Sequence, residues 1–376
     1  MLRYLYRQMV LEPSRTGLMV AALAAVIAVI LVLEGFNEGL VAQLGDTVLD
    51  RRADLIVTQA GVSNMTAARS LLPQTSRGEV ESIKGVAAAY PLTGIPVIYA
   101  EGGERTPIFL LVYDDRGGPV RVVEGAAANR PRDIVIDRSL AVKYGLRPGD
   151  PLVVSDFEFT VSGVTEGAAA MFTPFAFARY DDLIDFYLES DVAADISTFP
   201  LVSFLLVALE PGFDRAAVAA DIEKAVREGD VFLPEVLAAA DESLGRLLFG
   251  PILNLLIAVG YGIGVMVTGI LMFSSINARR SEFGVLKALG FGQGFLTGSV
   301  VLEALVLVLM AIPLGIGLAA VLAAVIEAIL PLYRILATDP AAVVRTALAC
   351  LIFAVVGALM PVRLIRRIDP ALVFRS

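Results

Sequence analysis

Residues 279–290 read RRSEFGVLKALG and form a charged island between two long hydrophobic runs. Arg279, Arg280, Glu282 and Lys287 lie within nine residues, whereas the flanking sequence is almost free of charge. Ionised side chains are costly inside a hydrocarbon layer, so this island is expected at a membrane face. We predict a short helix that contacts a partner in the aqueous phase and passes force to the helices beside it.

The hydropathy of the whole chain places this island in a membrane protein. Hydrophobic residues make up 57% of the 376 residues, and the mean hydropathy is +0.75, which is high for a soluble domain. Four apolar runs are near or above the roughly 20 residues that a membrane-spanning helix needs. They are residues 17–33, 247–276, 295–332 and 341–361. Residues 1–16 precede the first span, residues 34–246 form a large insert after it, and residues 247–376 contain the other three spans.

Two of these runs admit an alternative. The first has the basic flank of a cleaved signal peptide, but the residues after it lack a small-x-small cleavage pattern, so we favour an anchor that continues outward as a stalk. The third has 38 residues and would be about 57 Å long as a helix. Division at Pro313 would give two short spans and place the Arg-rich C-terminus outside, against the usual charge bias. We therefore interpret it as one span kinked near Pro313.

The distribution of charge predicts the orientation. Residues 1–16, 277–294 and 362–376 carry net charges of +2, +2 and +3. With four spans these segments share one face, which their Lys and Arg mark as cytoplasmic. Residues 34–246 have 18 basic and 33 acidic residues, which argues against nucleic acid as a partner. We predict a multi-pass membrane protein with cytoplasmic N- and C-termini and a large domain on the opposite side of the membrane.

The composition also limits the chemistry of the chain. It has no histidine, which excludes His-based zinc sites and Ser-His or Cys-His catalysis. Cys350 is the single cysteine, and in an apolar run it is interpreted as a packing residue. A GxxxxGK[ST] phosphate loop is also missing. We therefore predict no enzyme, no catalytic residue and no metal or cofactor on this chain. Because only 16 residues precede the first span, we expect any ATPase, with its ATP and Mg, on a separate chain.

The large insert reads as a mixture of strands and helices. Strands are predicted at residues 54–59, 95–100, 108–113, 133–137 and 201–209, with a hairpin of residues 151–155 and 158–164. Helices are predicted at residues 139–144, ended by Gly145, and at 213–228, capped by Asp214. The fold class is thus a membrane protein of four transmembrane α-helices with a large extracytoplasmic α+β domain between the first and second spans.

Residues 171–177 read MFTPFAF and have two interpretations. Met171, Phe172, Phe175 and Phe177 would form an exposed apolar lip for a lipid-like substrate or a partner protein. Alternatively, the segment is an edge strand with its aromatic rings in the core and Pro174 at the edge, which is the interpretation that we favour.

Two features inside the predicted spans need an explanation. Glu303 is an ionisable residue near the start of the third span, and such residues are usually paired. Arg279, Arg280 and Lys287 are within reach, so a tie from the charged island to the span is predicted, with an unpaired carboxyl as the alternative. Gly260 and Gly264 have GxxxG spacing, which permits close helix packing either within the chain or across a dimer.

Residues 279–319, reading RRSEFGVLKALGFGQGFLTGSVVLEALVLVLMAIPLGIGLA, resemble the permease signature of the FtsX/MacB superfamily of ABC transporters. The tail MPVRLIRRIDPALVFRS, residues 360–376, resembles the family's basic, Asp-Pro-containing end. The resemblance covers about residues 248–376. It extends more loosely into a MacB-like core domain, residues 34–246, through ADLIV, LAVKYGLRPGD and FTVSGV.

The resemblance implies a mechanism and partners. Residues that match the family's coupling helix, which contacts the ATPase, are Arg280, Glu282, Phe283, Gly284, Leu286, Lys287, Leu289 and Gly290; Arg279 precedes them. Phe283 stands where a small or β-branched aliphatic residue is more usual. The family pairs two permease chains, identical or paralogous, with a dimeric cytoplasmic ABC ATPase, and some branches add a membrane-fusion adaptor protein.

Two functions are implied by different branches. LVLEGFNEGL, residues 31–40, resembles both the LolC/LolE and the DevC-type permeases. These branches imply export or extraction of a lipid-like, lipoprotein or hydrophobic substrate, driven by ATP hydrolysis in the partner. The alternative is an FtsX-type transmembrane signal transmitter that activates a periplasmic cell-wall hydrolase without transport.

Overall fold

The computed structural model describes residues 11–66, 69–190 and 201–360. The described chain divides into two compact units. The helical unit contains the described residues up to Glu38, Phe249–Ile326 and the described residues from Ile335 onward. The sheet unit contains Gly39–Leu248 and Glu327–Arg334.

Helices are numbered here along the described chain. They are α1 Pro13–Leu49, α2 Thr75–Glu81, α3 Arg138–Tyr144, α4 Leu183–Glu189, α5 Arg215–Ala225, α6 Pro234–Ala278, α7 Arg280–Ala288, α8 Gln293–Ile329 and α9 Pro340–Leu359.

Strands are numbered in the same way. They are β1 Leu55–Gln59, β2 Leu72–Pro73, β3 Val86–Glu101, β4 Glu104–Tyr113, β5 Val122–Gly125, β6 Asp133–Asp137, β7 Pro151–Val154, β8 Phe157–Thr165, β9 Ala169–Ala170, β10 Thr173–Arg179, β11 Leu201–Val202, β12 Phe204–Leu209 and β13 Gly229–Phe232.

Four helices, α1, α6, α8 and α9, are long and apolar enough to cross a membrane, which confirms the four predicted spans. The third span is one continuous helix of 37 residues, with Pro313 inside it. The chain therefore does not divide at Pro313 into two spans. α1 has 37 residues and α6 has 45, which correspond to about 56 and 68 Å. Both lengths exceed the roughly 30 Å of a bilayer's hydrocarbon core.

The core of the helical unit is built from small and aliphatic side chains of all four long helices, including Ile27, Met272, Leu307 and Ala354. α1 also makes a main-chain contact with the segment that precedes α9. The Leu336 N–H donates to the Gly35 carbonyl at 2.9 Å. A Cβ atom at Gly35 would lie 2.4 Å from the Ala337 nitrogen, so only glycine fits at this position without a shift of the main chain.

The sheet unit is α+β, as predicted. Its main sheet has the order β13-β1-β12-β3-β4-β10-β6-β8-β5, with β7 added on β8 and β9 on β10. Most neighbours are antiparallel, but β4–β10 and β6–β8 are parallel pairs. The longest hairpin joins β3 to β4 through Gly102 and Gly103, both at positive φ. This two-residue turn suits the twist of a hairpin.

Three apolar clusters cover the sheet. The first lies beneath α3 and α4 and includes Phe157, Phe159 and Phe186. The second packs α5 and the end of α2 on β1 and β12, through Val80 and Ile222. The third joins the sheet to the last turns of α1 and the first turns of α6, which contribute Leu44, Val48, Leu237 and Ala238. The sheet therefore rests on the ends of the two longest helices.

Several predicted elements are confirmed by the structure. The hairpin β7–β8 forms, with Ser155 and Asp156 at positive φ in its turn. α3 ends at Gly145 with φ 69°. Asp214 caps α5 by accepting a hydrogen bond from the Ala217 N–H at 3.0 Å.

Other predicted boundaries are wrong. The helix predicted at residues 213–228 ends at Ala225, because Val226 leaves the helical conformation and the chain turns into β13, which pairs with β1. The strand predicted at residues 201–209 is two strands. β11 pairs with β2 in a separate small sheet, while β12 enters the main sheet.

Candidate functional site

α7 is the predicted coupling helix, and it has two distinct faces. Phe283 and Gly284 are buried, and Phe283 is only 3% exposed. Arg280, Glu282 and Leu289 are exposed, and Leu286 and Lys287 are partly exposed. Gly290, which is also exposed, follows the helix with φ 88°. The helix thus packs one side on the helical unit and presents a mixed charged and aliphatic side to solvent.

Arg279 connects α7 to α8 through a buried ion pair. Its Nη2 atom lies 2.7 Å from Glu303 Oε1 and 2.6 Å from Oε2. Ser275, near the end of α6, donates to Glu303 Oε1 at 2.9 Å and accepts from Arg279 Nη2 at 2.5 Å. Arg279 is 4% exposed and Glu303 is 8% exposed. Of the three cations considered from the sequence, the structure places Arg279 against Glu303, and this pair links α6, α7 and α8.

This geometry divides the residues of the predicted coupling helix into two groups. Phe283 packs in the core of the helical unit, and the Arg279 guanidinium carbon lies 5.9 Å from the centre of its ring. Phe283, where the resembling family more usually has an aliphatic residue, therefore affects the core of the helical unit and not the exposed side of α7. Arg279, Phe283 and Gly284 anchor the helix, while Arg280, Glu282 and Leu289 remain on its accessible side.

The GxxxG pair of α6 faces α1 within the same chain. A Cβ atom at Gly260 would lie 3.4 Å from Ile30 Cγ1, and one at Gly264 would lie 3.3 Å from Val26 Cγ1. Such close approach is the usual effect of small residues at this spacing. Of the two interpretations, the intrachain contact is the one that the structure contains.

The predicted lip at residues 171–177 is wrong in its main part. Phe175 and Phe177 are 3% and 0% exposed and lie in the core above α1 and α6. The favoured alternative is confirmed in placing the rings of Phe175 and Phe177 in the core. It is wrong about the edge, because β10 is a central strand paired with β4 and β6. Pro174 is tolerated because it lies at the start of β10, before the ladder to β4 begins at Phe175. Phe172 is 40% exposed, and its ring lies 6.0 Å from that of Tyr333.

A second polar cluster in the helical unit was missed from the sequence. Glu34 of α1 is 4% exposed. Its carboxylate accepts from Arg345 Nε of α9 at 2.9 Å and from the Tyr261 hydroxyl of α6 at 2.7 Å. Arg345 also lies 3.4 Å from Glu38. The available signal was the position of Glu34 directly after an apolar run and of Arg345 within another, since ionisable residues in such runs are usually paired.

Comparisons with known proteins agree with this architecture. The sequence model described as MacB-like periplasmic core domain matches residues 16–225, more than half of the chain. The model described as FtsX-like permease C-terminal matches residues 254–370. The chain belongs to the FtsX/MacB superfamily of ABC transporter permeases. The predicted family and fold class are thereby confirmed.

Full-length proteins similar to this chain are also described as ABC transporter permeases. An uncharacterized ABC transporter permease of Mycobacterium tuberculosis H37Rv is 22% identical over 309 residues, which cover 81% of this chain and 79% of the relative. Another from Mycobacterium bovis is 23% identical over 307 residues, covering 81% and 79%.

Two solved domains are also similar to part of the chain. The extracellular domain of the noncanonic ABC-type transporter YknZ from Gram-positive bacteria has a TM-score of 0.37 at 13% identity, over 48% of this chain and 99% of that domain. The periplasmic region of MacB from Actinobacillus actinomycetemcomitans has a TM-score of 0.37 at 10% identity, over 50% of this chain and 92% of that region.

Membership of this family defines the general role of the molecule. A member of this superfamily is a membrane-embedded permease subunit of an ABC transporter, and a permease of this kind has an ATPase as its partner. The permease subunit is not itself that ATPase.

Proposed function

We propose that this permease couples ATP hydrolysis by a separate cytoplasmic ATPase, which binds ATP and Mg, to conformational change in its sheet unit. The observation that carries the proposal is the continuity of α1 and α6. Each is a single helix that contributes residues to both units. Since a helix transmits displacement along its axis with little loss, movement at one end of α6 is expected at the other.

The exposed side of α7 is the proposed contact with the ATPase. Arg280, Glu282 and Lys287 supply charges, and Leu289, 70% exposed, supplies an aliphatic contact. α7 follows α6 after one residue, and the Arg279–Glu303 pair fixes it to α8. A push on α7 would therefore reach two transmembrane helices rather than dissipate in a flexible loop.

The orientation follows from the charges of the sequence. Basic residues concentrate in the segments 1–16, 277–294 and 362–376, and such segments are normally cytoplasmic. We place both termini and α7 in the cytoplasm of a bacterial cell, the four spans in the inner membrane, and the acidic sheet unit in the periplasm or outside the cell.

A second permease chain, identical or paralogous, is part of the proposal. α6 exposes two rows of large apolar side chains, and the residues of each row recur every seven positions, the period of coiled-coil packing. They are Ile252, Val259, Met266 and Phe273 in one row and Leu256, Ile263 and Ile270 in the other. A membrane-fusion adaptor that binds the sheet unit is a further proposed partner.

The proposed work is export or extraction of a lipid-like, lipoprotein or otherwise hydrophobic substrate. Support comes from the resemblance of residues 31–40 to permeases that release lipoproteins or export glycolipids. The alternative is a transmitter that activates a cell-wall hydrolase and transports nothing.

Charge reversal on α7 tests the coupling. Glu282→Lys is expected to abolish co-purification with the partner ATPase and the stimulation of its ATP hydrolysis, because the change places a cation where the partner meets an anion. Glu223→Lys, on exposed α5 of the sheet unit, is the matched control and should change neither measurement. Unchanged association and hydrolysis in Glu282→Lys would refute the proposed coupling surface.

The same two variants in cells separate the functions. If the permease exports or extracts, Glu282→Lys should leave the hydrophobic substrate in the cell or inner membrane, as deletion does. A lipid and lipoprotein profile that stays normal, together with lost activity of a co-purifying hydrolase, would favour the transmitter.

A further inference from the structure

A cavity of about 590 Å³ opens in the sheet unit at the C-terminal end of α1. Three arginines line it, namely Arg51, Arg52 and Arg116. Within the described residues, none of their guanidinium groups forms an ion pair with a carboxylate. This is unusual in a domain where acidic residues outnumber basic ones, and unpaired cations around one cavity indicate a site for an anion.

Arg51 is fixed in the wall of this cavity. It is 2% exposed. Its Nε atom donates to the Thr47 carbonyl at 3.1 Å, and its Nη1 atom donates to the carbonyls of Gly117 and Gly118. Nη2 donates to no group of the described residues, so one N–H edge of a nearly buried cation remains available. Burial lowers the pKa of Arg51 to about 10, which is still well above neutral pH, so the group stays charged.

The contacts of Arg51 also remove a competing effect. The C-terminal end of a helix carries partial negative charge, which would repel an anion. Nε of Arg51 donates to the Thr47 carbonyl in the last turns of α1 and so neutralises part of that charge. The loop that receives Nη1 depends on glycine, since Gly117 has φ 95° and a Cβ at Gly118 would lie 2.5 Å from the ring of Tyr113.

Arg52 is held in a backbone conformation that favours glycine. Its φ is 54°, directly after the end of α1. Helices commonly end with a glycine in this left-handed conformation, and another residue there costs roughly 1 kcal/mol. In return, the Arg52 carbonyl accepts from Arg116 Nη1 at 3.2 Å, which brings the second and third arginines together. The Arg52 side chain lies along the same wall, where its Nη2 atom donates to the Val120 carbonyl at 3.4 Å.

The acidic residues of the cavity wall do not cancel these charges. Asp115 is exposed and lies 3.5 Å from Arg179, which also lies 3.8 Å from Asp114. Asp50 is half-buried, and burial raises its pKa, which disfavours its charged form. Three arginines face two carboxylates in the cavity wall, so an excess of positive charge remains, and this excess suits a phosphate, which carries one to two negative charges.

We propose that this cavity binds a phosphomonoester, with the phosphate between Arg51, Arg52 and Arg116. Guanidinium groups bind phosphate oxygens in paired hydrogen bonds. The volume is in the range of small-molecule sites, so it accepts an organic group besides the phosphate. Tyr113 and Val122 of the wall supply apolar contacts for that group. The ligand is either a free metabolite ester or the exposed headgroup of a lipid, and the proposal does not depend on coupling to the ATPase.

Calorimetric titration of the purified full chain tests the site. Glycerol 1-phosphate is expected to bind saturably at one site per chain, and glycerol is expected not to bind. Inorganic phosphate forms the third arm. Binding of inorganic phosphate as tight as that of the ester would overturn the assignment to a phosphomonoester, whereas tighter binding of the ester would support it.

Arg52→Gly separates ligand binding from folding. The glycine relieves the left-handed conformation, so the unfolding temperature should not fall, while affinity should fall at least about tenfold, as expected for one lost charge-assisted hydrogen bond. Arg116→Gln should weaken binding similarly. Arg147→Gln, which removes an exposed arginine outside the cavity, is the control and should leave affinity unchanged. No saturable binding of either phosphate, or equal affinity in wild type and Arg52→Gly, would overturn the proposal.

Discussion

At the scale of single residues, the Arg279–Glu303 pair is a buried ion pair with several contacts in the helical unit. Two charges without water interact strongly, but each has paid a large desolvation cost, so the pair need not stabilise the fold relative to apolar residues. Its value lies in its geometry, since both oxygens of Glu303 contact one nitrogen of Arg279. That arrangement sets the angle at which α7 leaves α6.

Removal of one partner is therefore expected to cost more than removal of both. Glu303→Gln leaves Arg279 buried and uncompensated, and should destabilise the protein by about 3–5 kcal/mol. The double variant Arg279→Met with Glu303→Leu should cost less than Glu303→Gln alone. Chemical unfolding in detergent measures both.

The exposed pair Arg132–Glu189 offers the matched control. Their side chains are 41% and 51% exposed, and exposed pairs contribute roughly 0–1 kcal/mol. Glu189→Gln should therefore have little effect. If Glu303→Gln lowers the free energy of unfolding no more than Glu189→Gln does, the Arg279–Glu303 pair does not anchor α7.

At the scale of elements, α6 uses two faces differently. Gly260 and Gly264 let α1 approach closely, whereas Gly262 has open space around it. The three glycines therefore have different roles although they lie two residues apart on one helix, because neighbouring side chains surround Gly260 and Gly264 and leave Gly262 open.

Substitution by leucine should separate these positions. Gly260→Leu or Gly264→Leu places a branched side chain against Ile30 or Val26, and such overpacking typically costs about 1–3 kcal/mol. Gly262→Leu meets nothing within 4 Å and should be neutral or slightly stabilising, because glycine disfavours helices. Thermal unfolding of the three variants provides the comparison; equal behaviour would show that α1 and α6 do not pack here.

The four spans and the charged island could be predicted from the sequence because hydropathy and charge are local properties. The interior of MFTPFAF could not. A strand buried on both faces shows no alternation, so its pattern does not distinguish a core strand from an exposed apolar lip. Which cation meets Glu303 was also undecidable, since three lay within reach and the turn between α6 and α7 selects one. The cavity around Arg51 and Arg52 was not predicted from the sequence, because Gly117 in the loop that completes it lies 66 residues further along the chain.

At the scale of the whole molecule, continuity of α1 and α6 makes a decisive test available. Asn37 lies inside α1, close to the division between the two units. Proline there removes a main-chain hydrogen bond and clashes with the preceding turn, while each unit keeps its own core.

Asn37→Pro should therefore uncouple the units without preventing binding of the ATPase. In the wild-type complex, nucleotide is expected to change hydrogen exchange in residues 39–248, and in Asn37→Pro this change should be lost. Asn37→Ala preserves the helix and should behave as wild type. A nucleotide response that survives in Asn37→Pro would mean that α1 does not carry the motion.

The contact between Gly35 and the main chain at Leu336 and Ala337 leaves no clearance at that crossing. Two main chains are in direct contact here, so the contact cannot be altered in small steps. Any side chain at position 35 collides with the main chain from its first carbon atom. A chain that replaces this glycine must also change the main-chain path of the segment before α9, at Leu336 and Ala337. In a library of substitutions along α1, position 35 should therefore stand out as the one that accepts no gradual replacement, not even alanine.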